Sequence, residues 1–169
     1  FQARQPGRFA DPATSERAIT FEPAVDERLF HPPPDPAPGR PKRLLFYARP
    51  SNERNLIGLG LTALRRAAAH PVFAGGWEFL AIGSRGSVPA LALANGHTLR
   101  PAPWLDYAGY ARLLGESDIL LCPMLSPHTS YPVLEMAACG GLVVTNSFAS
   151  KTPAALAALS GHILAGEPT

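Results

Sequence analysis

The stretch DILLCPMLSPHTSYPVLEMAACGGLVVTN, residues 118–146, decides the fold class of this chain. An apolar run begins it and another ends it, and between them lie a polar turn with prolines and a short helix-like segment. Strands that are apolar throughout are typical of a parallel sheet covered on both faces. The stretch therefore predicts a strand–helix–strand unit, with a rigid polar turn at the mouth of the sheet.

The same alternation continues on both sides of this unit. One helix would carry Ile57, Leu61, Leu64 and Ala68 on a single face, and the next would carry Tyr107, Tyr110, Ala111 and Leu114. We therefore expect an α/β domain built on a Rossmann-like, doubly wound parallel sheet of about six strands. Strands are predicted at residues 43–48, 77–84, 97–101, 118–124, 142–146 and 161–166, and helices at residues 54–70, 106–116, 132–139 and 152–159.

Residues 1–42 differ from the rest of the chain because they hold nine of its 19 prolines. The dense block HPPPDPAPGRP excludes a helix or a central strand. We interpret this part as a proline-rich interdomain linker or an extended strap, with one short strand at residues 19–21. Because the chain lacks a starting Met and begins in mid-pattern, we expect it to be a piece of a larger protein.

Composition limits the classes of function. The 169 residues suit one domain, and 15 Lys+Arg against 13 Asp+Glu give no net charge that favours a nucleic-acid partner. Two cysteines, Cys122 and Cys139, lie in apolar surroundings and are expected to be reduced core thiols. No apolar run reaches membrane-spanning length, and no signal-peptide pattern is visible.

The first loop expected to carry chemistry is ARPSNERN, between the first strand and its helix. Ligands of such sheets bind at the carboxyl ends of the strands. Arg49 follows the strand, and Arg54 would open the helix, where the dipole disfavours a cation unless an anion is bound. Together they would grip a diphosphate. The alternative is that both arginines are solvated, with Glu53 as a surface partner.

The second loop is the polar turn before residues 132–139. Pro132 suits the first turn of a helix, with Ser130 or Tyr131 near its N-cap. Main-chain amides there, together with the Thr129 and Ser130 hydroxyls, would make an anion site. Glu135, expected in the first turn, would either compensate the helix dipole or accept both hydroxyls of a ribose.

Three further side chains have two interpretations each. His128 is either a surface residue or a contact to the substrate. Trp104 is either part of the core or the wall of a base pocket, and Cys139 fits the core better than a nucleophilic role. No metal-ligand spacing, no Gly-x-Gly-x-x-Gly after a strand and no Walker pattern is present, so neither a metal nor a bound cofactor is expected.

With both loops placed, the sequence resembles the C-terminal, nucleotide-sugar-binding domain of a GT-B glycosyltransferase. From about residue 21 to residue 164 it is similar to glycosyltransferase family 4, and most similar to bacterial surface-polysaccharide rhamnosyltransferases. The segments RLLFYARPSNERN and YARLLGESDILLCPMLSPHTSYPVLEMAACGGLVVTN carry the resemblance. The resemblance implies that Arg49 and Arg54 contact the donor diphosphate and that Glu135 binds the ribose hydroxyls.

The resemblance also implies what the larger protein does. Residues 43–169 would be the donor domain of a retaining glycosyltransferase that adds a sugar to a bacterial surface glycan such as an O-antigen. Its substrate would be a dTDP-, UDP- or GDP-sugar. A glycan or lipid-linked acceptor would bind an N-terminal domain that this chain lacks, so the piece alone would bind donor and transfer little. The expected location is the bacterial cytoplasm, with peripheral association of the parent protein with the inner face of the membrane.

One departure from the family pattern concerns the transferred sugar. Where the family often has a glutamate near that sugar, this chain has Pro127 followed by His128. The rhamnosyltransferase-like group has a similar SPH-containing loop, which would suit a deoxy sugar. Two alternatives remain open at this point: a nucleotide-sugar epimerase of GT-B fold, with His128 as its acid or base, and a non-catalytic nucleotide-sugar-binding module. The base, the sugar, the acceptor and the oligomeric state are not determined by the sequence.

Overall fold

The computed structural model describes residues 24–34, 38–85 and 89–167, and within them seven strands form one sheet. The strands are β1 (Lys42–Tyr47), β2 (Trp77–Ile82), β3 (Leu91–Ala92), β4 (Thr98–Pro101), β5 (Ile119–Leu121), β6 (Leu142–Asn146) and β7 (Ile163–Gly166). Their order is β3-β4-β2-β1-β5-β6-β7. All neighbours are parallel except β3 and β4, which are antiparallel.

Helices cover both faces of the sheet. They are α1 (Ile57–Ala69), α2 (Tyr107–Gly115), α3 (Tyr131–Ala138) and α4 (Pro153–Ala157). Alternate side chains of β1 pack on opposite faces of the sheet: Leu44 and Phe46 pack with α1, whereas Leu45 packs with the other three helices. The predicted doubly wound α/β fold is confirmed, and its cause is the expected one: strands with both faces buried need helices on both sides.

Several element ends differ from the prediction by one to three residues, as where β5 ends at Leu121 instead of residue 124, and two larger differences concern the sheet and α1. The two-residue strand β3 adds a seventh strand at the antiparallel edge, and it is too short to leave a periodic pattern in the sequence. The helix predicted to start at residue 54 starts at Ile57, because Leu56 has a left-handed φ of 47° and separates α1 from a 3₁₀ turn at Glu53–Asn55. The strand predicted at residues 19–21 lies outside the described residues.

The segment before β1 packs on the helical layer formed by α2, α3 and α4. We call residues 24–34 the strap. Its Phe30 is 1% exposed and lies among core residues of α2 and α3. Behind the strap, Arg40 donates two hydrogen bonds to Asp118, of 2.8 and 2.9 Å, and so ties the entry of β1 to the start of β5. Among the helices that the structure describes, none is long and apolar enough to cross a membrane.

Close packing between α1 and the sheet gives a first prediction. A methyl group on Gly60 would overlap the buried Phe46 ring, so Gly60→Ala is expected to destabilise the domain by about 1–3 kcal/mol. Gly58 lies on the exposed side of the same helix with open space around it, so Gly58→Ala is expected to stabilise the domain by about 0.5–1 kcal/mol. Urea denaturation of both variants measures the two values; a Gly60→Ala variant as stable as Gly58→Ala would contradict this packing.

Candidate functional site

A cleft of about 850 Å³ opens at the carboxyl ends of β1, β2 and β4. The loops after these strands form one wall, and residues of α2 and α3 form the other. Four of the residues predicted for the site line it, namely Arg49, Trp104, Tyr131 and Glu135. The position and size are those of a small-molecule site in an open α/β sheet.

Glu135 is the buried polar group of this cleft. It is 5% exposed, and each of its carboxylate oxygens accepts one hydrogen bond from α2. Tyr107 Oη donates to Oε1 at 3.3 Å, and Tyr110 Oη donates to Oε2 at 3.1 Å. The expectation that Glu135 lies in the first helical turn is wrong, because α3 begins at Tyr131 and has no acidic residue in its first turn. Glu135 is therefore poorly placed to compensate the dipole of α3.

The charge on Glu135 has no cationic partner among the described residues. Burial raises the pKa of Glu135 above its usual value, while the hydrogen bonds from Tyr110 and Tyr107 oppose part of that rise. Burial and the nearby Glu135 charge raise the pKa of Tyr110, so its hydroxyl stays a donor. A buried carboxylate with two phenol partners has lone pairs left for further hydroxyl donors, which is what a vicinal diol offers.

Arg49 lies on the opposite side of the cleft, just after β1. It is half-buried, and while its carbonyl accepts a 3.0 Å hydrogen bond from the Asn52 amide, its side chain makes no hydrogen bond or ion pair with the residues that the structure describes. Gly83, at the end of β2, lets it approach: a Cβ there would lie 3.3 Å from Arg49 Cγ and 2.9 Å from the Tyr47 ring. The φ of Gly83, 94°, also suits glycine alone. A half-buried guanidinium without a described acceptor is suited to an incoming anion.

Arg54 is placed differently from its prediction. It belongs to the 3₁₀ turn before α1, so the argument that it opens a helix is wrong. Its side chain is exposed and outside the lining of the cleft, while its carbonyl accepts a 2.7 Å hydrogen bond from the Leu125 amide. Neither Arg49 nor Arg54 forms an ion pair with Glu53, so that part of the solvated alternative is wrong as well.

Trp104 lies at the mouth of the cleft and is 56% exposed, so its interpretation as a core residue is wrong. The guanidinium of Arg85, which follows β2, lies over the indole with its Cζ 4.5 Å from the ring centroid. Such a cation–π contact orients an exposed ring at a modest gain in stability. Arg85 was not singled out in the sequence, where nothing separates it from any other surface arginine.

His128, Thr129 and Ser130 lie outside the lining of the cleft. His128 Nδ1 is 3.2 Å from the Thr129 carbonyl, and the Ser130 hydroxyl lies 3.6 Å from Cys122 Sγ rather than capping α3. The main-chain amides of Ser130 and Tyr131 make no hydrogen bond with the described residues, in line with the exposed donors of a helix start. The Thr129 hydroxyl is buried without a partner in the described part of the chain.

The turn before α3 is held by one side chain at the end of β6 and by another that follows this strand. Both polar main-chain groups of Met124 are engaged: its amide donates to Asn146 Oδ1 at 2.6 Å, and its carbonyl accepts from Lys151 Nζ at 2.9 Å. Lys151 is only 2% exposed, and burial lowers the pKa of its amine. Sequence reasoning missed Lys151 and Asn146, although a lysine within an otherwise uncharged run after a buried strand is a weak signal.

Both cysteines are structural, as predicted. Cys122 and Cys139 are buried free thiols, and burial raises the pKa of each to about 11. Thiols of this kind stay protonated near neutral pH and react slowly. A nucleophilic role for Cys139 therefore has no support in the geometry.

Comparisons with known proteins agree with this architecture. Residues 42–169 match the protein family described as WsaF, C-terminal domain. The chain is 44% identical over 133 residues to the O-antigen biosynthesis protein RfbC of Myxococcus xanthus, a match that covers 75% of this chain and 10% of that relative. The chain thus spans a small part of the length of that relative.

Two solved structures share the fold at 15% sequence identity. One is the C-terminal domain of a glycosyl transferase group 1 family protein, LpcC, of Francisella tularensis, with a TM-score of 0.57 over 77% of this chain and 73% of that chain. The other is the sucrose-phosphate synthase of Thermosynechococcus elongatus, with a TM-score of 0.66 over 99% of this chain and 43% of that chain. At this level of identity the likeness concerns the fold alone.

Proposed function

This chain belongs to the family of WsaF C-terminal domains, and from that premise we propose that it is the donor-binding domain of a glycosyltransferase of bacterial surface-glycan synthesis. An O-antigen biosynthesis protein with which it is 44% identical and a glycosyl transferase domain that shares its fold support this class of function. They favour transfer of a sugar over the epimerase and over the non-catalytic module.

The observation that carries the proposal is the composition of one cleft. A buried carboxylate with no cationic partner among the described residues, Glu135, shares the cleft with a half-buried arginine without a described acceptor, Arg49, and an exposed indole lies at the mouth. These three groups match the three parts of a nucleoside diphosphate: a diol, an anion and an aromatic base. The volume of about 850 Å³ is ample for such a ligand.

Each group has a defined task in this proposal. Glu135 accepts the free hydroxyls of the nucleotide pentose, two in UDP or GDP and one in the deoxyribose of dTDP, with the lone pairs that Tyr107 and Tyr110 leave free. Arg49 binds the diphosphate, with Arg54 and the free amides before α3 contributing from the neighbouring loops. Trp104 offers the base a stacking surface that Arg85 orients. No cofactor or metal has a part in this scheme, and the nucleotide-sugar is the substrate.

The finer proposals rest on the resemblance to glycosyltransferase family 4 and, for the donor sugar, to its rhamnosyltransferase group. They are a retaining transfer, a deoxyhexose such as rhamnose as the donor sugar, and a glycan or lipid-linked acceptor bound by a separate N-terminal domain. On this proposal the chain binds donor but transfers little by itself, and it works in the bacterial cytoplasm near the inner face of the membrane.

A thermal-shift panel of dTDP-, UDP- and GDP-sugars tests the proposal. A ligand that binds only the folded chain stabilises it by about 2.7 kcal/mol at roughly a hundredfold excess over Kd. We expect the nucleotide-sugar with one of the three bases to raise the Tm well above the others. The nucleoside diphosphate with that base, without the transferred sugar, should retain most of the shift. If no member of the panel moves the Tm at millimolar concentration, the donor-binding proposal is wrong.

His128 gives a more specific prediction. If it contacts the transferred sugar, His128→Ala should reduce affinity for the complete donor by about 1 kcal/mol more than affinity for the bare nucleoside diphosphate, the value of one hydrogen bond. Because its ring lies outside the cleft in the free chain, this contact requires the donor to extend beyond the described cleft. Calorimetric titration of both ligands checks it, and equal losses would assign His128 to the phosphates or to an indirect role.

A further inference from the structure

Phe30 of the strap lies against the tyrosine pair that holds Glu135. Its ring meets Tyr107 edge-on, with centroids 5.2 Å apart and an interplanar angle of 74°, and meets Tyr110 at 6.1 Å and 71°. Phe30 is 1% exposed, so water does not separate it from either ring. Edge-to-face pairs at these separations are attractive and directional.

The two tyrosines are thus held at both ends. Phe30 packs against their rings, and their hydroxyls reach different oxygens of one carboxylate. Tyr107 depends most on this arrangement, because it is 55% exposed and so lies largely outside the core. A shift of either ring would move a hydroxyl and so change the orientation of the carboxylate plane.

We infer that Phe30 is a positioning residue for Glu135, acting through Tyr107 and Tyr110. The inference rests on the proposed function of Glu135 in binding a ribose diol. It makes the strap a part of the donor site, although the strap does not line the cleft. Because the strap leads into the domain from the preceding part of the chain, its seating would couple that part to the affinity for nucleotide.

The test compares two phenylalanines of equal burial in the full chain. Phe30→Leu removes the edge contacts with the tyrosines, while Phe79→Leu removes the same atoms from the opposite core, where the ring is 2% exposed and touches Phe73 and His97. We expect Phe30→Leu to weaken binding of the preferred nucleoside diphosphate roughly three- to tenfold, a coupling typical of residues in contact, and Phe79→Leu to change it less than twofold. Equal effects of the two variants would overturn the inference.

A mutant cycle shows whether the effect passes through the tyrosines. In a Tyr107→Phe/Tyr110→Phe background there is no hydroxyl to position, so Phe30→Leu should no longer change affinity. An undiminished effect in that background would overturn the inference. Should Phe30→Leu fail to fold, Phe30→Met serves in its place, since the flexible apolar side chain of methionine is of similar length and also lacks the aromatic ring.

A readout without ligand separates this inference from the proposed function. The ¹³C resonance of the Glu135 carboxyl should titrate at a different midpoint in Phe30→Leu and at the wild-type midpoint in Phe79→Leu. An unchanged midpoint in Phe30→Leu would overturn the positioning role. If the wild-type chain binds no nucleotide, the proposed function fails, while this titration still decides whether Phe30 positions the carboxylate.

Discussion

Glu135→Ala is expected to weaken nucleoside diphosphate binding by about 1.5–3 kcal/mol, roughly 10- to 150-fold, while the chain stays folded. The reason is that the substitution removes the one buried carboxylate that the described residues place in the cleft, to which the pentose hydroxyls of the ligand would donate charge-assisted hydrogen bonds. Isothermal titration calorimetry measures the loss, with circular dichroism as the check on folding. Glu27→Ala, which removes an exposed carboxylate on the strap, is the matched control and should bind as the wild type does.

The same carboxylate should reduce the stability of the free chain above its pKa. Burial raises the pKa of Glu135 in the folded state, so the folded state holds the proton to a higher pH than the unfolded state, whose value is near 4.5. The stability contributed by the protonated form is complete below about pH 4.5 and is lost as the pH rises through the folded pKa. Glu135→Gln cannot ionise and escapes this loss.

The Tm of Glu135→Gln minus that of the wild type should therefore increase as the pH is raised from about 4 to 8. Thermal unfolding at a series of pH values, at constant ionic strength, measures the trend. A difference that stays constant, or that falls with rising pH, would show that the charged form is not disfavoured in the fold. A variant that gains stability while losing affinity would indicate that the charge is kept for binding.

Arg49→Ala is the second substitution with a large expected effect. It should lower affinity for the nucleoside diphosphate by about 1.5–3 kcal/mol and leave affinity for the nucleoside nearly unchanged, because only the diphosphate carries the charge that the guanidinium meets. Arg54→Ala should act in the same direction but less strongly, since its side chain is exposed and lies outside the cleft lining. Calorimetry with both ligands measures these losses. Repeating it at two salt concentrations separates a direct contact with the phosphates, which salt screens little, from a long-range attraction, which salt screens strongly.

The control for the arginines is Arg65→Ala, which removes the same charge from the exposed surface of α1. If Arg65→Ala costs as much affinity as Arg49→Ala, the effect is one of net charge and the phosphate site lies elsewhere. Arg54→Ala is not expected to stabilise the free chain. Such a gain would require a cation at a helix start, and α1 begins only at Ile57, after the left-handed Leu56.

The sequence alone was sufficient for the features that depend on local physics. Strands with both faces apolar and helices with one apolar face predicted a covered parallel sheet, and the Ser130–Pro132 turn predicted the start of α3. Because ligands bind where parallel strands end, this was enough to name Arg49 and Glu135 before their distances were known.

Only the tertiary structure determined how the cleft is built. The hydroxyls of Tyr107 and Tyr110 reach Glu135 across the contact between α2 and α3, and Phe30 packs against both rings. Lys151, which follows β6, donates a hydrogen bond to the carbonyl of Met124, which follows β5. In the sequence the tyrosines belong to an ordinary apolar helix face and Phe30 to a proline-rich linker. Periodicity and capping are properties of neighbours along the chain, whereas these contacts join residues that only the packing of helices and strap on the sheet brings together.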